Sequence, residues 1–199
     1  MDENNRTVLC GIPTAKPEFS HECRHERFYS FPLAIRRSSG ISDVINIIAP
    51  EKLLSDTETS EGEKLELSGE VRSYNNKSGV GSKLIITMYA KTINAIFGED
   101  ENTVLIRGTI CKTPTYRKTP MGREICDLMI AVNRKYGRSD YLPCIAWGLR
   151  AREASEWSVG DIVSLRGRLQ SRSYIKRTDD DIQEKTAYEI SIIEIEREH

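Results

Sequence analysis

The sequence predicts an all-β protein made of two small Greek-key barrels in tandem, each with a short helix between its third and fourth strands. Three observations carry that prediction. The 199-residue chain matches itself at a nearly fixed offset of 97: Ala34 with Ala131, Arg37 with Arg134, Gly40 with Gly137, Ser42 with Ser139 and Asp43 with Asp140. Each copy then reads as five strand-like runs and one short helix. Finally, the connector Phe97-Gly98-Glu99-Asp100-Glu101 is too short to be a flexible linker, so the copies are expected to pack with limited freedom.

The repeat continues outside that core. Val8-Leu9 matches Val104-Leu105, Gly11 matches Gly108, and Leu67-Ser68-Gly69 matches Leu165-Arg166-Gly167. Arg72-Ser73-Tyr74 echoes Arg172-Ser173-Tyr174. A period this long describes a duplicated domain, not a solenoid unit. The expected domains are 1–97 and 102–199, each large enough for a modest core of its own.

In the second copy, Thr103 to Ile110 is the first strand. Lys112 to Gly122, holding Pro114, Pro120 and Gly122, reads as a long loop. Arg123 to Asn133 and Ser139 to Trp147 are the second and third strands, and the Ala-rich Leu149 to Trp157 is a helix stopped before Gly160. Asp161 to Ser173 is the fourth strand, an acidic stretch through Glu184 reads as a disordered loop, and Thr186 to Ile195 is the fifth strand. The first copy follows: Thr7 to Pro13, Glu26 to Arg36, Asp43 to Ile48, a helix near Glu51 to Ser55, Lys64 to Arg72 and Lys83 to Ile93. This order of elements is that of the OB-fold.

Composition alone does not indicate a partner. At 38% hydrophobic, 30% charged and a formal net charge of −1, the chain has the make-up of an ordinary globular protein. The first hundred residues carry 12 Lys and Arg against 15 Asp and Glu, the remainder 17 against 15, a modest asymmetry. No apolar run approaches the roughly 18 residues of a membrane span, and Met1-Asp2-Glu3-Asn4-Asn5 is no signal peptide, so a cytoplasmic, membrane-free protein is expected.

The five cysteines form no C-x-x-C pair, and Cys126 and Cys144 sit inside apolar strand patterns as small core residues. His21-Glu22-Cys23-Arg24-His25 lacks the second ligand pair of a structural zinc site, and Asp179-Asp180-Asp181 has no partnering carboxylate nearby in sequence. No nucleophile, phosphate-loop or zincin motif is present. No catalytic residue, metal or cofactor is therefore expected.

What the sequence does hold is positive charge interleaved with rings. In the fourth strand of the second copy, Arg166, Arg168, Gln170, Arg172 and Tyr174 alternate with core positions, so they share one face unless a bulge intervenes. The loop between the first and second strands adds Lys112, Arg117, Lys118 and Arg123 around Tyr116. The hairpin loop from Asn133 to Tyr141 holds Arg134, Tyr136 and Arg138, with Tyr141 at its end. Trp147 lies at the end of the third strand, where core packing is the alternative, and Lys176 follows Tyr174. Flat rings beside cations suit unstacked bases on a phosphate chain, at roughly 1–3 kcal/mol per stacked base. Trp157, closing the helix, is expected to be structural.

The blocks Val104-Leu105-Ile106-Arg107-Gly108, Thr119-Pro120-Met121-Gly122-Arg123-Glu124, Ala131-Val132-Asn133-Arg134, Tyr141 to Gly148 and Gly167 to Tyr174 resemble the bacterial single-stranded DNA-binding protein family. The resemblance covers Asn102 to Ile195, and the duplication resembles family members with two OB-folds per chain. It implies base-stacking aromatics at Tyr136, Tyr141, Trp147 and Tyr174. It also implies sequence-tolerant binding of single-stranded DNA in replication, recombination or repair, and a homodimer presenting four OB-folds.

Family members usually end in a Gly/Pro/Gln-rich tail with an acidic tip that recruits replication proteins. This chain stops at Ile195-Glu196-Arg197-Glu198-His199, so recruitment by that route is not expected. The first copy keeps Arg36, Arg37 and Arg72 but, of the four ring positions, only Tyr74. It is expected to supply phosphate contacts and assembly while the second copy grips bases. The rival reading is an OB-fold scaffold of a replication-restart assembly whose grooves bind protein.

Overall fold

The computed structural model describes residues 4–55, 62–76, 83–135, 137–178 and 181–198, and over 173–185 the backbone alone. The first half contains β1 (Asn5–Pro13), β2 (Glu18–Cys23), β3 (Glu26–Arg36), β4 (Ser42–Pro50), α1 (Glu51–Ser55), β5 (Leu65–Asn75) and β6 (Leu84–Ala95). The second repeats it: β7 (Glu101–Ile110), β8 (Thr115–Lys118), β9 (Glu124–Asn133), β10 (Ser139–Trp147), α2 (Leu149–Ser155), β11 (Ile162–Thr178) and β12 (Asp181–Arg197).

Each half closes on itself in the OB-fold order. β1, β3, β4, β6 and β5 form the first ring, with β4 and β6 running parallel and β1 pairing with both β3 and β5. β7, β9, β10, β12 and β11 form the second, with the parallel pair at β10 and β12. The strand that closes each ring must pass tightly over its neighbour. A Cβ on Gly11 would stand 2.3 Å from the Ala34 carbonyl oxygen, and one on Gly108 would stand 2.6 Å from that of Ala131. Only glycine fits such an approach.

Alternation along the strands fills the barrels. Leu9, Phe31, Leu33, Ile45, Ile47, Leu67 and Met88 in the first, and Ile106, Ile130, Leu142, Leu169 and Ile190 in the second, are buried. Cys126 and Cys144 lie in the core as expected, and burial pushes the Cys126 thiol up to about 11. Trp157 is also buried. Within each barrel an asparagine on the first strand braces the fourth. Asn5 exchanges hydrogen bonds with the Val71 backbone at 2.8 and 3.0 Å, and Asn102 does the same with Leu169 at 2.7 and 2.8 Å.

The barrels join through a seam with near two-fold symmetry. β1 runs antiparallel to β7, from Asn5 opposite Ile106 to Cys10 opposite Glu101. From Asn5 to Leu9, adding 97 to one number of each pair and subtracting it from the other returns a pair of the same ladder, as an isologous contact requires. The buried Asp43 accepts from the Ser171 backbone N–H at 2.9 Å, and the buried Asp140 accepts from that of Ser73 at 2.6 Å. Val44 N–H donates to Ser171 Oγ at 3.0 Å, as Tyr141 N–H donates to Ser73 Oγ at 2.7 Å.

Three expectations are corrected. The stretches between the first and second strands each contain an extra short strand, β2 or β8, paired onto the next one. The acidic stretch before Glu184 is not loop: β11 and β12 pair continuously out to Thr178 opposite Asp181. Acidity pointed to disorder there, but Tyr174, Ile175, Ile182 and Thr186 favour an extended hairpin and cross-strand pairing completes it. The Arg72-Ser73-Tyr74 echo was also misplaced. The hydrogen bonds make Ser73 the counterpart of Ser171, 171 − 73 = 98, so Tyr74 stands where Arg172 does.

Candidate nucleic-acid interface

A groove of about 650 Å³ runs along the second barrel where β9, β10, β11 and β12 meet the β8 hairpin. Its lining includes Arg117 and Arg123 from the β8 hairpin, Trp147 from β10, Arg168 and Arg172 from β11, and Glu189 from β12. The first barrel completes it with Arg37 and Ile41 from the β3–β4 loop. That loop is held over the groove from within the seam: Arg37 Nε donates to Asp43 at 2.7 Å while Asp43 is itself bound to Ser171. Neither barrel alone makes this site.

Trp147 is half-buried, and its indole N–H donates to Ser191 Oγ at 3.2 Å. The bond fixes the ring edge while the side chain remains part of the groove lining, an arrangement suited to a stacking platform. Among the described residues, Arg123 and Arg168 have no acidic partner. Arg117 donates to Asp127 at 2.7 and 3.2 Å, which raises its pKa, and Arg172 lies 3.8 Å from Glu189. The Arg117–Asp127 pair is exposed on both sides, and Arg172 is itself exposed and only loosely paired, so either cation can exchange its carboxylate for a phosphate.

The expected row on β11 breaks in two. Opposite it, β12 carries a bulge at Ile193, between the pairs Arg166–Glu194 and Gly167–Ile192. The added local twist separates Arg166 from Arg168. Arg166 lines a separate depression with Leu105 and Arg107, bound to Glu194 at 2.7 and 3.0 Å, and is not among the groove-lining residues. Scanning β11 alone showed no interrupting carboxylate; the carboxylate sits on the neighbouring strand.

Two further arginines belong to the seam. Arg134 Nε donates to Asp140 at 2.7 Å and its Nη2 to the Ser73 carbonyl at 3.0 Å, with the guanidinium 5.3 Å above the Tyr74 ring. Burial lowers its pKa, but the bonds to Asp140 more than offset this and leave it raised. Arg72 reaches Asp140 at 3.3 Å and pairs with Glu70. Arg134, Arg72 and Tyr74 therefore face the first barrel's wall, away from the groove.

Tyr141 is exposed on β10 beside the seam, and Arg138 is exposed with its carbonyl accepting from Arg134 N–H at 2.7 Å. Lys112 and Lys118 are exposed around the hairpin, Lys118 at 3.9 Å from Glu124. Arg36 is exposed on β3, its backbone bound to Asp100. Tyr136, and the side chains of Tyr174 and Lys176, lie outside the described residues. Sequence reasoning missed Ile41, which becomes a groove residue only through the seam. Besides Tyr74, which the sequence did single out, the first barrel holds rings it passed over: Phe28, Tyr29 and Tyr89. Among the described residues, no group of His, Cys, Asp and Glu is placed to hold a metal ion, and no helix is long and apolar enough to cross a membrane.

Comparison with known proteins places these observations. Residues 101–197 match the profile of the Single-strand binding protein family. The chain is 30% identical over 80 residues to a single-stranded DNA-binding protein of Clostridium tetani, covering 37% of this chain and 55% of that protein. It is 32% identical over 80 residues to single-stranded DNA-binding protein 1 of Staphylococcus aureus, covering 37% and 48%. The matched part thus spans about half the length of these curated relatives. The whole two-barrel arrangement resembles the crystal structure of the wild-type single-stranded DNA binding protein from Thermus aquaticus, with a TM-score of 0.78 at 22% identity over 98% of this chain and 93% of that one. That likeness supports the tandem OB-fold architecture.

Proposed function

We propose, from the premise that the second barrel belongs to the Single-strand binding protein family, that this chain binds single-stranded DNA with little sequence preference. The observation that carries the reading is the groove, in which Trp147 lies among Arg37, Arg117, Arg123, Arg168 and Arg172. A ring offers every base the same π surface, and guanidinium groups follow a phosphate chain whatever its sequence. Both kinds of contact are indifferent to sequence, so coating and protection of exposed strands in replication, recombination or repair is the role that fits.

The division of the chain into units 1–97 and 102–199 belongs to this proposal, with the second as the main binding unit and the first supplying Arg37 and Ile41. So do a homodimer presenting four barrels, a place in the cytoplasm at the nucleoid, and binding without catalysis. Titrating oligo-dT against intrinsic fluorescence tests the reading. Stacking on Trp147 should quench emission, and affinity should fall as salt rises. No quenching and no gel shift at micromolar protein would favour the scaffold reading instead. Labelled DNA recovered uncut after incubation with Mg²⁺ would accord with binding alone, whereas cleavage would contradict it.

A further inference from the structure

The first barrel has its own version of the groove wall, and one residue changes its character. Strand registers place Pro50 where Trp147 stands, 147 − 50 = 97, and Glu70 where Arg168 stands, 168 − 70 = 98. They place Tyr74 where Arg172 stands and Tyr89 where Ser191 stands, 191 − 89 = 102. Rings form a connected run there. His21 lies parallel on Phe28 at 4.9 Å and 11°, and Phe28 meets Tyr89 at 6.1 Å. Arg72 covers the Tyr89 ring at 5.9 Å, and Arg134, reaching over from the other barrel, covers Tyr74 at 5.3 Å.

This wall holds the same two ingredients as the groove, rings and cations, together with a carboxylate. Glu70 is 2% exposed and binds both Lys91 and Arg72. Its counterpart Arg168 is a cation without an acidic partner among the described residues. A buried carboxylate is tolerable only with cations around it, and those same cations are what a phosphate would need.

We propose that Glu70 is an internal stand-in for a phosphate, masking a second strand-binding wall on the first barrel and thereby setting how many nucleotides one chain covers. This rests on the single-stranded DNA reading above. An incoming phosphate must compete with a carboxylate already in place, so a short strand fills the second barrel's groove first. A longer strand, tethered there, meets the first wall at a high effective concentration and displaces Glu70 from Arg72 and Lys91.

The test uses the full chain and Glu70→Gln, which keeps shape and removes charge. Affinities are measured for oligo-dT of about 8 nucleotides, within the span of one OB barrel, and of about 30 nucleotides. The variant should bind the long oligomer roughly tenfold tighter, the scale of one stacked base, and saturate at more nucleotides per chain. The short oligomer should bind as before, and adding Tyr74→Ala should remove the gain. Equal binding of both oligomers by variant and wild type overturns the proposal. If the variant does not fold, wild type is photo-cross-linked to 5-iododeoxyuridine oligomers at saturation. Long oligomers should reach Tyr74 or Tyr89 and short ones should not; cross-links confined to the second barrel for both lengths overturn the proposal. Failure of wild type to bind any oligo-dT would instead sink the function beneath it.

Discussion

The wall of the first barrel and the groove of the second occupy the same places in the same fold, yet their charge is arranged in opposite senses. In the second barrel, among the described residues, Arg123 and Arg168 stand without acidic partners beside a half-buried indole. In the first, Arg72 and Lys91 are tied to the buried Glu70, and Arg134 is tied to Asp140. The inward-facing residues that close each ring, such as Leu67 and Leu165 or Ile47 and Cys144, stayed apolar through the duplication. The outward positions differ, and the exchange of Glu70 for Arg168, with Arg72 and Lys91 standing where the second barrel has Gln170 and Ile193, separates a self-satisfied wall from an open one. Fold and function are thus written on alternate residues of the same strands.

The seam offers the harshest test of how equivalent the halves are. Asp140 is completely buried and accepts from Arg134, Arg72 and the Ser73 N–H, whereas Asp43 serves Arg37 and the Ser171 N–H. Asp140→Ala strips Arg134 of its carboxylate partner and leaves Arg72 held by Glu70 alone, and is expected to cost about 3–5 kcal/mol in urea unfolding. Asp43→Ala should cost less, because the more exposed Arg37 can turn to water. Equal losses would mean the two sides of the seam are energetically interchangeable despite their different partners.

Next in size is the effect on binding. Trp147→Ala should weaken oligo-dT binding by roughly 1–3 kcal/mol with the unfolding midpoint nearly unchanged. Tyr74→Ala, on the masked wall beneath Arg134, should change short-oligomer affinity far less. A large drop in melting temperature for Trp147→Ala would reassign that ring to the core, and a large binding loss for Tyr74→Ala would show that the first wall is already open.

Much of the architecture was legible because alternation and repetition report backbone geometry directly. The strand Glu26–Arg36, the helix Glu51–Ser55 and the strand Ser139–Trp147 lie where the apolar period placed them. What could not be read was whatever depends on a neighbouring strand. Arg166 looked available because Glu194 is 28 residues away in sequence yet directly across the sheet. Arg134 looked like a loop cation although Asp140 lies six residues away, because the Ser73 carbonyl that also holds it belongs to the other barrel. Phe28 and Tyr89 were passed over because they match no ring in the second copy. Their partnership exists only once β3 and β6 are brought together. Charge within one element is visible in sequence; its neutralisation across elements is a property of the fold.

The smallest predicted effect separates two arginines two residues apart on one strand. Each groove cation that neutralises a phosphate adds about 0.7 to the slope of log affinity against log salt for single-stranded DNA. Arg168→Ala should lower that slope by about this amount, and Arg168→Ala with Arg172→Ala by about twice it, provided both meet phosphate. Arg166→Ala should leave it unchanged, since that side chain is bound to Glu194 and lines a depression separate from the groove. Removing Arg166 also frees Glu194, and a general field effect of that carboxylate would lower affinity while keeping the same number of contacts. A slope altered by Arg166→Ala as much as by Arg168→Ala would therefore count Arg166 as a phosphate contact, and would place the strand's path across the outer sheet instead of along Trp147.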